Sequence, residues 1–404
     1  MKAKHSNLRL FELFVFPLDD VHCGYGTQQG NLLPALPCIP GRVMRGGLAG
    51  WALRNSCVSS ANDDLFKSLF TSEGAATVSF PFCTLQGRFP VPLSLFEVKG
   101  GRTDPAFSRL LPSQRPFVSE QANLHPLPDQ PLDFLLRKEW PSDVEATLKP
   151  KSGSADVYGV IWPPFETRIE MKAHHENTGR VGKEGLFAEG VIPAALSTKP
   201  NEFWYRGTLV IDSDFSGLFE RLLIAEATIS DSSIPDQIEE LFKKAEEHTA
   251  SEQFAPKHLV FLGHRRVPCL VYAVECDAEP FKQTNGSFTI TFTTDFIPEC
   301  SPAYPLTAQM VQDALPGSVI KKKERVFCRR GEAHGYDITQ KALDPMQTLA
   351  AGSCGHFKGN PGEQLQRSLL GIGRNSKDGF GRFILNWDIH NIQKVTDDGQ
   401  ESDG

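Results

Sequence analysis

Gly371-Ile372-Gly373-Arg374-Asn375-Ser376-Lys377-Asp378-Gly379-Phe380-Gly381-Arg382-Phe383, running on into Ile384-Leu385-Asn386-Trp387, is the stretch on which the reading of this chain turns. Four glycines bracket a polar, basic loop that leads into an apolar strand. Glycine takes positive φ at little cost and lets another backbone come close, so its entropic cost is tolerated where something must approach. Free N–H groups beside Arg374, Lys377 and Arg382 would suit an anionic, phosphate-bearing partner. Taken alone, the same residues also read as a plain hairpin turn.

The loop has a counterpart upstream. Residues 259–276, like residues 369–387, run from a hydrophobic pair through glycine and a basic loop into an apolar strand, and the basic loop of the upstream copy is Gly263-His264-Arg265-Arg266. The segments that open each half also match. Residues 8–17 and 288–298 both alternate apolar or aromatic residues with others and close in proline, the pattern of a strand. Two related α+β lobes are predicted, over 1–277 and 286–392. Each would be a small antiparallel sheet with helices on one face, a ferredoxin-like (RRM-like) unit closed by a glycine-loop hairpin. Residues 393–404 read as a disordered acidic tail.

Between these landmarks, Pro40-Gly41-Arg42 starts a predicted helix with Val43, Gly47, Leu48 and Trp51 on one face. Arg42 and Arg45 sit in its first turns, where cations oppose the helix dipole. They are therefore not there for helix stability, and with the free N–H groups of a helix N-terminus they form a natural phosphate site. A glycine-softened amphipathic helix is the other reading. Residues 60–165 are irregular and proline-rich and read as an insertion of short strands and loops. A hairpin is predicted from 167–171 and 185–188, around a polar loop with His174, His175, Asn177, Gly179, Arg180 and Lys183. A strand over 203–211 and helices over 218–227 and 235–247 follow.

The chain has 404 residues, 40% hydrophobic and 23% charged, which suits a globular protein of two domains or one large one. No apolar run is long enough to span a bilayer, and residues 1–7 carry no signal-peptide core. Nine scattered cysteines with no C-x-x-C pair read as reduced thiols in a cytosolic protein, not as structural zinc. The net charge of −7 argues against a free-standing nucleic-acid binder. Positive charge is nonetheless clustered, at Lys321-Lys322-Lys323-Glu324-Arg325 and Arg329-Arg330, as expected of a subunit that binds RNA on one face.

At this point the residues resemble a family. Cys38-Ile39-Pro40-Gly41-Arg42-Val43-Met44-Arg45-Gly46 looks like the Ile-Pro-Gly helix start of CRISPR-associated RAMP (repeat-associated mysterious) proteins. Residues 371–383 look like their C-terminal glycine-rich loop. Residues 175–188, leading to Phe203-Trp204-Tyr205-Arg206-Gly207, resemble the segment after their β-hairpin thumb, and Ala350-Ala351-Gly352-Ser353 resembles a second-lobe motif. In order and spacing these match best the large RAMP subunit of type III-D effector complexes. The resemblance implies two ferredoxin-like lobes with a thumb and an irregular insertion. It also implies partnership with CRISPR RNA, target RNA and other effector subunits, in a prokaryotic cytoplasm and away from membranes. RNA contacts would fall on Arg42, Arg45, His175, Arg180, Lys183, His264, Arg265, Gly371, Gly373, Arg374, Asn375, Lys377, Gly379, Gly381 and Arg382. Target sequence would be read by the guide, and the protein would contact shape, phosphate and 2′-OH.

Slicing subunits of this superfamily carry an aspartate shortly before the Ile-Pro-Gly start. Residues 26–37 contain none, and Asp19 and Asp20 are the nearest. They either cleave target RNA, which would call for a divalent metal (Mg or Mn), or cap a turn. No other cofactor and no metal-ligand spacing is visible. His22 is placed to act as general acid–base in guide-precursor processing, with His174, His175 and His264 as further histidines. The remaining alternative is a protein–protein scaffold whose insertion docks its neighbours.

Overall fold

The computed structural model describes residues 8–23, 32–33, 36, 38–71, 74, 76–85, 90, 92–98, 107–108, 110, 124–126, 168–175, 181–191, 204–223, 258–263, 265–276, 286–299, 306–315, 318–337, 341–361, 369–387 and 390. In chain order the first part holds β1 (Leu8–Pro17), β2 (Leu32–Leu33), β3 (Cys38–Ile39), helix α1 (Gly41–Arg54), helix α2 (Asp64–Phe70), β4 (Val78–Ser79) and β5 (Cys83–Leu85). A three-stranded patch follows, of β6 (Leu95–Val98), β7 (Phe107–Ser108) and β8 (Leu124–Pro126). Next come β9 (Arg168–His175), β10 (Val181–Val191), β11 (Tyr205–Asp212), the one-turn helix α3 (Ser213–Ser216), β12 (Leu259–Leu262) and β13 (Val267–Cys276). The second part holds β14 (Ser287–Phe292), helix α4 (Ala308–Ala314), β15 (Val319–Phe327), β16 (Arg330–Asp337), β17 (Lys341–Leu349), β18 (Cys354–Asn360) and β19 (Phe383–Leu385).

The strand order of the first sheet is β12-β13-β1-β11-β5-β3, with β4 also on β11, and its pairings are antiparallel. Counting β1, β5, β11 and β13 as strands one to four gives the spatial order 4-1-3-2. The second sheet runs β15-β18-β14-β19, again antiparallel. Counting β14, β15, β18 and β19 in the same way repeats 4-1-3-2. The fold is α+β, with two ferredoxin-like lobes.

In β1, Phe11, Leu13 and Val15 face α1 and join Met44, Leu48 and Trp51 in the first core, while Phe14 and Phe16 are buried on the opposite face. A strand covered on both sides loses strict alternation and becomes nearly continuously apolar, as β1 is. Gly47 is where α1 comes closest to β12, since a Cβ there would lie 2.4 Å from Leu262 Cδ2. The second core gathers Phe288, Ile290, Phe292, Val311, Leu315, Phe357 and Phe383, with Phe292 and Phe296 stacked at 4.7 Å.

Four features differ from the sequence reading. Residues 64–85, read as insertion, contribute α2, β4 and β5, and place Leu69, Phe70, Val78, Phe80 and Cys83 in the first core. Where a helix over 218–227 was predicted, a short 3-10 turn (Phe219–Leu222) gives way to a bridge from Leu223 to Ala273; the described residues end at 223, and the helix over 235–247 lies outside them. The acidic tail also lies outside them. Residues 259–276 form a hairpin, but 371–382 do not. Leu369 and Leu370 are helical, and only β19 joins the sheet, taking beside β14 the place that β13 takes beside β1. Each lobe also carries a long hairpin between its second and third strands: β9–β10, and β16–β17, which the sequence reading did not foresee.

Candidate nucleic-acid interface

Helix α1 has Pro40 as its N-cap, with no side-chain cap and no acid in its first turn. The missing negative charge comes from the other lobe. Arg42 Nε lies 3.0 Å from Asp378 Oδ2, and Arg45 Nη1 lies 3.0 Å from Asp378 Oδ1, an ion-pair distance at angles outside a hydrogen bond. Asp378 is buried. The backbones meet as well, because a Cβ on Gly41 would stand 2.1 Å from the Asp378 carbonyl oxygen. The two arginines that oppose the helix dipole are there to hold a carboxylate of the second lobe.

The glycine loop is built to make that approach. Gly371, Gly373, Gly379 and Gly381 have φ of 84°, 77°, 82° and 68°, and Asn375 joins them at 59°. Several of its N–H groups are used within the protein: Ile372 donates to Gly381 O, Arg374 to Ile297 O, Asp378 to Asn375 O, Gly379 to Ser376 O and Gly381 to Asp295 O. The Arg382 N–H donates to Thr294 Oγ1. Across the seam, Phe80 N–H donates to Lys377 O at 2.8 Å and Ser79 Oγ to Ser376 O at 2.9 Å.

The loop's cations follow the same pattern. Arg382 is 8% exposed and donates from Nη1 to Thr208 O at 2.6 Å and from Nη2 to Ser79 O and Oγ at 2.9 and 3.0 Å. Burial lowers its pKa to about 10, partly offset by Cys83. Lys377 Nζ donates to Ser68 O at 2.9 Å and Gly74 O at 3.3 Å, at the carbonyl-rich end of α2. Burial and the neighbouring Arg45 lower its pKa to about 8, against the pull of Asp378. The sequence reading of a phosphate cradle had left these cations free for an outside partner. Gly371, Gly373, Gly379 and Gly381 serve close backbone contacts, and Lys377 and Arg382 are committed to protein carbonyls. Arg374 is exposed, while Asn375 Nδ2 points to Met346 Sδ at 3.5 Å.

The other predicted residues fall into two groups. His175 ends β9 and Lys183 lies early in β10, so both belong to the hairpin, whose connecting residue Arg180 lies outside the described residues. β2 joins β10 in parallel, tying the segment before α1 to this hairpin. Arg265 and Arg266 are exposed at the β12–β13 turn, and His264 is outside the described residues. That turn packs beside the end of the first strand, with Gly263 (φ 68°) placing its missing Cβ 3.9 Å from His22 O. His22 is half-buried. Asp19 Oδ1 accepts the N–H of the next residue, Asp20, at 2.8 Å, and Asp20 is buried. Among the described residues no group of three His, Cys, Asp or Glu side chains is arranged to hold a metal ion. The described cysteines are free thiols, and no described helix is long and apolar enough to cross a membrane.

Exposed cations not in the predicted set include Lys321, Lys322 and Lys323 on β15 and Lys358 on β18. Their signal, the Lys321–Arg325 run, was visible in the sequence, but its place on a sheet edge was not.

No protein-family model matches the sequence, and no curated protein is significantly similar to it. Among solved structures the chain is similar to one in the cryo-EM structure of type III-B Cmr-beta bound to cognate target RNA and AMPPnP, at 10% identity and a TM-score of 0.41 over 85% of this chain and 86% of that one. It is similar to a chain of the Csm3–Csm4 subcomplex of the type III-A CRISPR-Cas interference complex, at 12% and 0.34 over 87% and 94%. It is also similar to a RAMP protein binding different RNA substrates, at 9% and 0.30 over 93% and 99%. These likenesses are too distant to carry residue roles across.

Proposed function

We propose that this chain is a RAMP-type, RNA-binding subunit of a CRISPR type III effector complex, of the type III-D kind, holding guide-RNA backbone and the guide–target duplex. The observation that carries this reading is the twin 4-1-3-2 lobes, each with a long hairpin between its second and third strands, joined where the glycine loop meets the Pro40-Gly41-Arg42 helix start. The glycine loop, the Pro40-Gly41-Arg42 helix start and the β9–β10 hairpin are among the parts that the sequence motifs announce. The contacts of the glycine loop with the α1 start and with Ser79 and Phe80 hold the lobes together, so that surfaces on both can follow one RNA. Recognition by phosphate and 2′-OH contacts needs no base-reading groove, and sequence is left to pairing with the guide.

Co-expression with the other effector subunits tests the proposal. The chain is expected to co-purify with guide RNA and its neighbours. Assembly with its neighbours but without RNA contact would make it a protein–protein scaffold instead.

A second reading, ribonuclease action through His22, is favoured by its half-buried place beside the β12–β13 turn, where a Cβ on Gly263 would lie 3.9 Å from the His22 carbonyl oxygen and Arg265 and Arg266 are exposed. A histidine can serve as general acid–base for 2′-OH attack. Complexes carrying His22→Ala, or Asp19→Ala with Asp20→Ala for target slicing, decide it. An unchanged pattern of guide ends and of target fragments would leave the chain a binding subunit.

A further inference from the structure

The positive charge singled out in the glycine loop and at the α1 start is largely spent inside the protein. Arg42 and Arg45 face Asp378, and Lys377 and Arg382 face carbonyls. An RNA-binding chain of net charge −7 must present cations elsewhere. β15 stands at one end of the second sheet and pairs with β18 among the described residues. Lys321, Lys322 and Lys323 on it are exposed, as is Lys358 on β18. Lys322 and Lys358 are direct cross-strand partners. The side chains of Lys322 and Lys358 are 68% and 59% exposed, against 21% and 16% for Arg42 and Arg45, so their ammonium groups are open to an outside ligand.

We infer that this lysine edge, Lys321, Lys322, Lys323 and Lys358, is a binding track for an RNA phosphate backbone; the inference rests on the RNA-binding reading above.

Lysines on an edge strand also discourage another chain from adding a strand. Two observations go beyond that role. Lys358 is on β18, which lies between β15 and β14 and is not an edge. One carboxylate, Glu324 Oε1, stands between Lys322 and Lys358 at 3.5 and 3.4 Å, so the two cations share one negative charge and the patch stays net positive. Arg330, at the start of β16, is a further exposed cation of this lobe. The register shifts between Ile320 and Lys322, so Lys321 is an extra residue of β15 next to the Lys322–Lys358 pair, which brings these cations together for a phosphate backbone. Lysine ammonium groups act as point charges without base discrimination, so the track takes backbone irrespective of sequence.

The test uses the full chain and fluorescence anisotropy with two labelled single-stranded RNAs, one of mixed sequence and one of uridines only. The variants are Lys321→Glu/Lys323→Glu/Lys358→Glu and the milder Lys321→Gln/Lys323→Gln/Lys358→Gln, each checked for an unchanged melting temperature. The track predicts affinity lost on the order of tenfold or more at about 0.1 M salt. The slope of log K against log salt should fall by about 0.7 per lost phosphate, about 2 in all, equally for both RNAs. If the parent chain binds RNA and both variants match it in affinity and slope, the track is wrong and the RNA-binding reading stands. If the variants keep RNA but lose a partner subunit, the edge is a protein-docking surface and the inference falls. If the parent chain binds neither RNA, both fall together.

Discussion

Arg382 brings a full guanidinium into the seam between the lobes, and its partners explain why it is arginine. Nη1 and Nη2 reach Thr208 O, Ser79 O and Ser79 Oγ, a fork that a lysine cannot reproduce. Arg382→Met is expected to leave these acceptors without their donor and to destabilise the chain by about 3 kcal/mol, read from denaturant unfolding, with Arg382→Lys losing less. The sequence marked Arg382 and Lys377 as cations with a task. It could not show the partners, because the carbonyls they meet are contributed by residues 174 to 309 positions away. His390 is a second buried polar anchor. Its Nε2 lies 2.7 Å from Thr291 Oγ1 and its Nδ1 3.3 Å from Ser94 Oγ. Burial, with His356 nearby, lowers its pKa to about 3. An unfolded histidine takes its proton near pH 6.5, so between that value and about pH 3 the unfolded state binds more protons than the folded one. This contribution to stability is complete above pH 6.5 and is lost by up to about 1.4 kcal/mol per pH unit as the pH falls. Unfolding midpoints from pH 7 to 4 should show that loss, and His390→Gln should flatten it.

At the scale of elements, α1 makes the clearest contrast. Gly46 faces open space in mid-helix, whereas Gly41 abuts Asp378 O and Phe80 O at 2.1 and 2.7 Å from a built Cβ. Gly46→Ala should therefore stabilise by about 0.5–1 kcal/mol through reduced unfolded-state entropy. Gly41→Ala should destabilise by about 1–3 kcal/mol, because two backbone oxygens must move. Hydrogen exchange separates the effects: the Phe80 amide, bonded to Lys377 O, should exchange faster in Gly41→Ala and not in Gly46→Ala. The element itself was legible, from Pro40 and the Val43, Gly47, Leu48, Trp51 spacing, and so was the misfit of Arg42 and Arg45 with the helix dipole. The answer to the misfit was not, since Asp378 is contributed by the other lobe. The hairpin of β9 and β10 was visible as two strand-like runs around a polar loop. That of β16 and β17 was not, because Gly331, Gly335 and Pro345 interrupt its alternation.

For the whole molecule, the first strands of the two lobes were readable because strand alternation is a local property. The two-lobe plan was read from the repeat, while the order 4-1-3-2 became visible only in the pairing of the strands. The extent of the insertion was misread because α2, β4 and β5 are short and lie among prolines, while Leu69, Phe70 and Phe80 bury themselves only once β11 is in place. Past β5 the chain leaves the first sheet for the second lobe, where Leu93 N–H donates to Gly352 O at 2.9 Å and Ser94 meets His390. Among the described residues the two lobes thus meet at the glycine loop and here. Such a body presents exposed cations on both lobes, Arg265 and Arg266 on one and the lysine edge on the other, within a chain that is acidic as a whole. Binding of RNA by separated cationic strips on a rigid frame is expected to be strongly salt-dependent and indifferent to sequence.

The most direct test is to crosslink RNA to the tagged full chain in its native cells by ultraviolet light, sequence the RNA and map the crosslinked peptides. The account predicts enrichment of CRISPR-derived guide RNA, with crosslinks on both lobes, in the β9–β10 hairpin and along β15. Bulk cellular RNA without guide enrichment, or no crosslinked RNA at all, would contradict it.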